Sequence, residues 1–231
     1  MAIEPASRPD PLRRLGVLCM LCPVWFLIMY AVFSSLNPGF SHLNEPISGL
    51  GAIGEPRAPA WNVLSFIAPG ALVVALGSAI RRSRPDAPIS NLAGSSVIIS
   101  GILLAAAGIF PTNTTGDPTI LYRVHEMSGW GSFAAFLVAG ISTPWVVWAW
   151  TRSKSLFVIP IALVIGTAIS YGLLLPDLWW LRQRIGVMCY FLWVGVMGLV
   201  ILRQSDRTSR TNRVGTAGES LVRERAESLA L

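Results

Sequence analysis

The sequence predicts an all-α membrane protein, a polytopic bundle of six transmembrane helices with both termini on the cytoplasmic side. Three observations predict it. Hydrophobic residues make up 53% of the 231 and charged residues only 13%, about half the charged share of a soluble domain. The apolar residues gather into six runs, each near the roughly 20 residues a helix needs to cross a bilayer core. The runs are continuous where a barrel strand would alternate. Lipid offers no hydrogen bonds to a backbone, so such runs form helices.

The first run, Leu15–Ser35, follows a polar, proline-containing tail of residues 1–14 that is read as unstructured. The run is longer than a secretory signal core, so it is read as a retained span, with Pro23 bending it. The second run, Ala60–Ile80, starts with Trp61, placed as an interfacial belt residue. Pro69 should bend it near its middle, and Arg81, Arg82 and Arg84 stop it. Asn62 at its edge needs a hydrogen-bond partner, most simply the loop before it.

The third run, Asn91–Phe110, is rich in glycine, alanine and serine, including Gly94, Gly101, Ala105 and Gly108. Small residues let helices approach closely. The fourth, His125–Trp150, starts with a histidine and Glu126, whose carboxylate suits a helix N-terminus. The fifth, Leu156–Leu175, is apolar apart from Thr167, Ser170 and Tyr171, and the sixth, Ile185–Leu202, returns the chain to the side of the termini. Between the fourth run and its predecessor, Asn113-Thr114-Thr115 matches a glycosylation pattern and Asp117 a turn. Before the sixth, Asp177 is placed to pair with Arg182 or Arg184. Residues 203–231 form a polar tail in which 219–231 is read as a short surface helix.

Basic residues orient the bundle. Of eighteen, only Arg57, Arg123, Arg182 and Arg184 fall on the side opposite the termini. The termini are therefore expected in the cytoplasm, in a plasma membrane, and the 36–59 loop outside. Arginines at helix ends suit anionic lipid headgroups and give no nucleic-acid surface. Cys19 and Cys22 sit inside the first helix with no second pair, which reads as apolar filling and not as a metal or redox site.

The segment Asn37–Asn62 is unlike the runs around it. It holds His42, Glu45, Ser48 and Glu55 among glycines and prolines, and it reads as a folded lid. Both histidines and five carboxylates (Glu45, Glu55, Asp117, Glu126 and Asp177) map to its side of the membrane. Unpaired charge at membrane depth is costly, so such groups face one another or a wet cavity. The candidate ligand-binding residues are His42, Glu45, Ser48, Asn62, His125, Glu126, Arg182 and Arg184. Three readings compete. The polar groups satisfy one another. They recognise an amphiphile, with arginine and histidine meeting an anionic headgroup. Or His42 and His125 hold a catalytic metal. The two histidines are single and far apart in sequence, which ranks the metal reading last. No cofactor is indicated.

The order of short motifs resembles a known family. Ile47-Ser48-Gly49-Leu50-Gly51-Ala52-Ile53-Gly54-Glu55-Pro56 is preceded by Asn-Pro-Gly-Phe and followed by Trp61-Asn62. Then come Gly108-Ile109-Phe110-Pro111, His125, and Arg-Gln-Arg-Ile ending at Ile185. Over Leu15–Leu202 this resembles the six-helix prokaryotic membrane proteins catalogued as domain of unknown function, number 998. The position after Ser48, often acidic in that family, is Gly49 here. The resemblance implies a six-helix bundle in a prokaryotic plasma membrane and no particular activity. The first outer loop is also faintly similar to that of the Frag1/DRAM/Sfk1 membrane proteins, which points toward lipids by analogy only. The resulting expectation is an integral membrane protein that binds a lipid or amphiphile in an outward-facing pocket, with membrane lipids as partners. The alternatives are a metal-dependent membrane hydrolase and a scaffold that meets a membrane-protein partner, or a second copy, through its small-residue third helix.

Overall fold

Each of the six apolar runs is a helix in the computed structural model, which describes residues 10–113, 119–172 and 179–229, the last as backbone only beyond residue 207. The helices are α1 (Pro11–Ser35), α2 (Ala58–Ser83), α3 (Pro88–Ile109), α4 (Ile120–Thr151), α5 (Lys154–Gly172) and α6 (Trp179–Leu229). All six are long and apolar enough to cross a membrane. Their outer faces carry Leu18, Ile28, Ile99, Ile102, Met127 and Ile141, all exposed. In water such a surface would be an association hazard; in a bilayer it is the solvated face.

Several helix starts lie upstream of the apolar runs, because polar caps and not hydropathy set them. Asp10 accepts a hydrogen bond from Leu12 N at 2.9 Å with Pro11 in the first position, so α1 starts at Pro11 and not Leu15. Thr119 does the same for Tyr122 N at 3.2 Å, so α4 starts at Ile120. His125 and Glu126 are therefore in its second turn, and the Glu126 side chain accepts from Tyr122 Oη at 2.8 Å. The α6 helix starts at Trp179 and runs unbroken to Leu229, where a separate polar tail with a short terminal helix was expected. The calls on Asn113-Thr114-Thr115 as a sequon, on Asp117 and on Asp177 lie outside the described residues.

The α2 helix changes form midway. It is π-helical over Val63–Ile67, between α-helical stretches Ala58–Asn62 and Ala68–Ser83. Pro69 has no N–H, so the Ser65 carbonyl lacks its usual α-helical donor. One residue earlier, Ala68 N–H reaches back to the Val63 carbonyl. That releases the Leu64 carbonyl, which accepts from Trp25 Nε1 of α1 at 2.9 Å.

Packing follows the chain. Each of α2 to α6 lies against its sequence neighbour, and α1 packs along α6. Glycines set the closest approaches. A Cβ at Gly101 would stand 2.7 Å from the Gly70 carbonyl oxygen, and one at Gly77 would stand 2.7 Å from the Gly94 carbonyl oxygen. Gly94 and Gly101 of the small-residue face of α3 are thus packed against α2 within the chain. Trp61 also departs from expectation. It is fully buried, with Phe33 at 5.5 Å and Phe26 and Phe66 at 6.2 Å between ring centroids. The lid folds over it, so it is core and not an interfacial belt residue. Cys19 and Cys22 are buried free thiols, as their position in α1 implied.

The two ends of the bundle differ. At one end, Ser205 donates to the Asp10 carboxylate and Arg207 donates to the Trp150 carbonyl at 2.9 Å. The start of α1, the far part of α6 and the α4–α5 turn therefore share that end. The lid occupies the other. Gly101→Val places two methyl groups against the α2 backbone, and overpacking of this kind costs about 1–3 kcal/mol. The expected outcome is a lower thermal midpoint in detergent than for Gly129→Val, where a Cβ meets nothing within 4 Å; equal midpoints would show that α2 and α3 are not held at glycine distance.

Candidate functional site: a lidded cavity

The lid is built from the glycine and proline pattern of 36–59. Pro46 starts a 3₁₀ turn, Ile47–Gly51, whose five residues are all buried. Ile47 and Leu50 insert into the bundle top with Phe40. Gly54 adopts φ +93° at the turn that follows, a conformation that suits glycine.

Hydrogen bonds tie this segment to three helices and to the segment after α3. Asn62 Nδ2 donates to the Gly51 carbonyl at 3.0 Å, the loop partner expected for it. A Cβ on Gly51 would stand 2.0 Å from Asn62 Oδ1, so glycine is needed there. Ile53 N–H donates to the Thr112 carbonyl at 2.9 Å. Ile47 N–H donates to Gln183 Oε1 on α6 at 3.0 Å. Arg184 holds the centre. Its Nε donates to Tyr30 Oη at 2.9 Å, one terminal nitrogen to the Trp180 carbonyl at 2.8 Å and the other to the Glu45 carbonyl at 2.9 Å. Its guanidinium also lies over the Tyr30 and Phe40 rings, 5.9 and 5.7 Å from their centroids. Tyr30 Oη is 2.6 Å from His42 Nδ1.

Beneath the lid is a cavity of about 440 Å³, within the range of roughly 300–1,000 Å³ common for ligand sites. Its roof includes Glu45, Ile47 and Ser48. His125 and Glu126 of α4 stand at the upper wall. The His125 ring nitrogen Nδ1 is 2.8 Å from the Ala107 carbonyl and 3.0 Å from the Phe110 carbonyl at the end of α3. Two acceptors on one nitrogen fix it as the N–H donor, which leaves Nε2 as the ring's other polar atom. The walls are aromatic: Trp130, Phe133 and Tyr171 form one cluster, with centroid distances of 4.6 to 6.3 Å.

The floor is polar. Ser100 and Ser132 donate to each other's carbonyls at 2.9 Å, and Ser100 Oγ is 3.1 Å from Tyr190 Oη. Ser132 and Tyr190 face the cavity, as does Ser65. Ser65 is fully buried and its hydroxyl has no hydrogen-bond partner. It belongs to the π-helical stretch of α2, and single π turns recur at functional positions. From His125 to Ser132 is seven residues, about 10 Å of helix rise, so the cavity reaches well into the span. The exposed members of its lining are Asn44 on the lid and Glu126, Gly129 and Trp130 on α4.

Of the eight sequence candidates, the structure brings Glu45, Ser48, His125 and Glu126 to the cavity. The other four stand behind it. Asn62 and Arg184 hold the lid. His42 is exposed on the lid beside Tyr30. Arg182 donates from Nε to the Ser170 carbonyl at 2.8 Å and from a terminal nitrogen to the Tyr171 carbonyl, capping α5. Among the described residues no group of three His, Cys, Asp or Glu side chains is placed to hold a metal. Sequence reasoning did not assign Tyr30, Gln183 or Tyr190. Gln183 stood in the quoted Arg-Gln-Arg motif, and its spacing one residue before Arg184 was the available signal.

Fold and site together define a multi-pass helical membrane protein with a capped internal cavity at one end of the bundle. The chain belongs to the family described as "Protein of unknown function (DUF998)", whose model matches residues 20–200. No curated protein and no solved structure matches it.

Removing a buried donor and leaving its acceptor unsatisfied costs about 1–3 kcal/mol. Asn62→Ala and Arg184→Ala are therefore expected to release the lid before the bundle unfolds. Hydrogen exchange should accelerate selectively across 44–52 in both variants. Uniform acceleration, or none, would show that these bonds do not hold the lid on their own.

Proposed function

We propose that this protein binds a lipid or other amphiphile, with its polar end under the lid and its tail between the helices. The observation that carries this is the cavity itself: one space with a polar roof, aromatic walls and a floor that Ser132 and Tyr190 line. The exposed lining at Gly129 and Trp130 belongs to a membrane-spanning helix, which suits a ligand that arrives from the bilayer. Membrane lipids are the natural source of such a molecule.

The placement that goes with this reading is a plasma membrane with both termini cytoplasmic and the lid outside. It rests on the one-sided arginine distribution. Cysteines introduced at residue 43 or at residue 83, in a variant lacking Cys19, Cys22 and Cys189, test it in whole cells. An impermeant maleimide should label residue 43 and spare residue 83; the reverse pattern would invert the protein.

Gly129 supplies the direct test of binding. It lines the cavity, and a Cβ there meets nothing within 4 Å. Gly129→Phe sets a ring at the cavity's edge, where its Cβ meets no neighbour. The expected outcome is a tightly retained amphiphile in lipid extracts of the purified wild type and its loss from Gly129→Phe. Identical lipid content in the two proteins would remove the reading.

A further inference from the structure

The geometry points to a protonated amine as the headgroup this cavity selects, an inference that rests on the amphiphile reading and sharpens it. The lining contains the carboxylates of Glu45 and Glu126 and, among the described residues, no arginine or lysine. Residues 114–118 and 173–178 contain no arginine or lysine either. Arg184 spends its donors on Tyr30, Trp180 and Glu45, and Arg182 caps α5. These two cations of α6 are thus consumed in holding the frame, and Arg123, three residues before Glu126 on α4, is exposed and outside the lining.

A phosphate or carboxylate headgroup would enter a site whose lining holds two carboxylates and, among the described residues, no arginine or lysine, and like charges repel there more strongly than in bulk water. An ammonium meets the opposite situation. Each carboxylate keeps accepting capacity beyond its present bond, from Ser41 N–H at 3.3 Å for Glu45 and from Tyr122 Oη at 2.8 Å for Glu126. The aromatic walls favour a cation over their faces. An alkyl amine therefore finds an acidic rim and ring faces, with the tail among apolar side chains.

Native mass spectrometry of the full chain from neutral dodecyl maltoside micelles tests this with hexadecylamine, hexadecanol and hexadecyl phosphate as probes. Hexadecylamine should be retained roughly tenfold more than hexadecyl phosphate, the scale of one well-placed charge interaction. In the Glu45→Gln/Glu126→Gln variant, which preserves both existing acceptor roles, that preference should collapse while hexadecanol retention stays as in wild type. Equal retention of all three probes by the wild type, preference for the phosphate, or an amine preference that survives the double substitution would overturn the amine assignment. The amphiphile reading would then still stand, provided Gly129→Phe excludes the probes. Retention of none by the wild type, or equal retention by Gly129→Phe, would bring down both. Phosphatidylethanolamine as a fourth probe identifies the source: retained with hexadecylamine, it assigns a phospholipid headgroup; excluded, it assigns a single-chain amine.

Discussion

The Arg184 guanidinium is the contact on which the lidded end depends. It joins α6, through the Trp180 carbonyl, to the lid, through the Glu45 carbonyl, and to α1, through Tyr30 Oη. These are charge-assisted bonds, the stronger kind, and they lie where solvent thins out. The arginine fork is well suited to this, because its donors are rigid and point in fixed directions. A lysine would keep the charge and lose the three-way geometry. The lid is otherwise a glycine- and proline-rich segment whose own backbone bonds mostly close short turns, such as Gly49 N–H to the Pro46 carbonyl at 2.9 Å. Its position over the cavity is thus a property of α6 as much as of the lid.

The second constraint comes from Pro69. By withholding one N–H it leaves α2 a π turn at Val63–Ile67, and two consequences follow locally. The Leu64 carbonyl turns to Trp25 on α1, and the Ser65 carbonyl loses its usual donor. Buried hydroxyls in membrane helices usually return a hydrogen bond to the preceding turn, as Ser142 does to the Val138 carbonyl at 2.8 Å. Ser65 does not.

Much of the fold was legible because lipid imposes a simple rule. Length and continuity of apolar runs are enough to locate six spans, and every one is a helix of the structure. Helix starts were less legible, because Asp10 and Thr119 cap through local hydrogen bonds that hydropathy does not see. Trp61 was misplaced for a related reason: a tryptophan at the end of an apolar run looks interfacial until a lid is folded over it. At the site, sequence could nominate polar residues near one membrane face, and half of the eight nominees meet in the cavity. It could not separate residues that line a space from residues that hold its walls, since Arg184 and Glu45 are equally charged and close to the same face. Only the three-dimensional hydrogen bonds assign Arg184 to the frame and Glu45 to the lining. The floor of Ser100, Ser132 and Tyr190 was hidden for the same reason, with partners 32 to 90 residues apart in sequence.

The cavity also makes sense as an energetic statement. Empty apolar volume in a packed interior costs about 24 cal/mol per Å³. Water relieves this cost where it finds two to four polar partners, which describes the roof and the serine–tyrosine floor. It does so poorly against the rings of Phe133, Trp130 and Tyr171. Those walls are best filled by apolar groups, and in a bilayer the abundant apolar groups are chains attached to polar heads. A space that is wet at its ends and aromatic between them is therefore matched in chemistry to a molecule with a polar head and a tail. The same packing that makes the bundle stable elsewhere, glycine against glycine along α2 and α3, shows that close contact was available to this fold and is not used here.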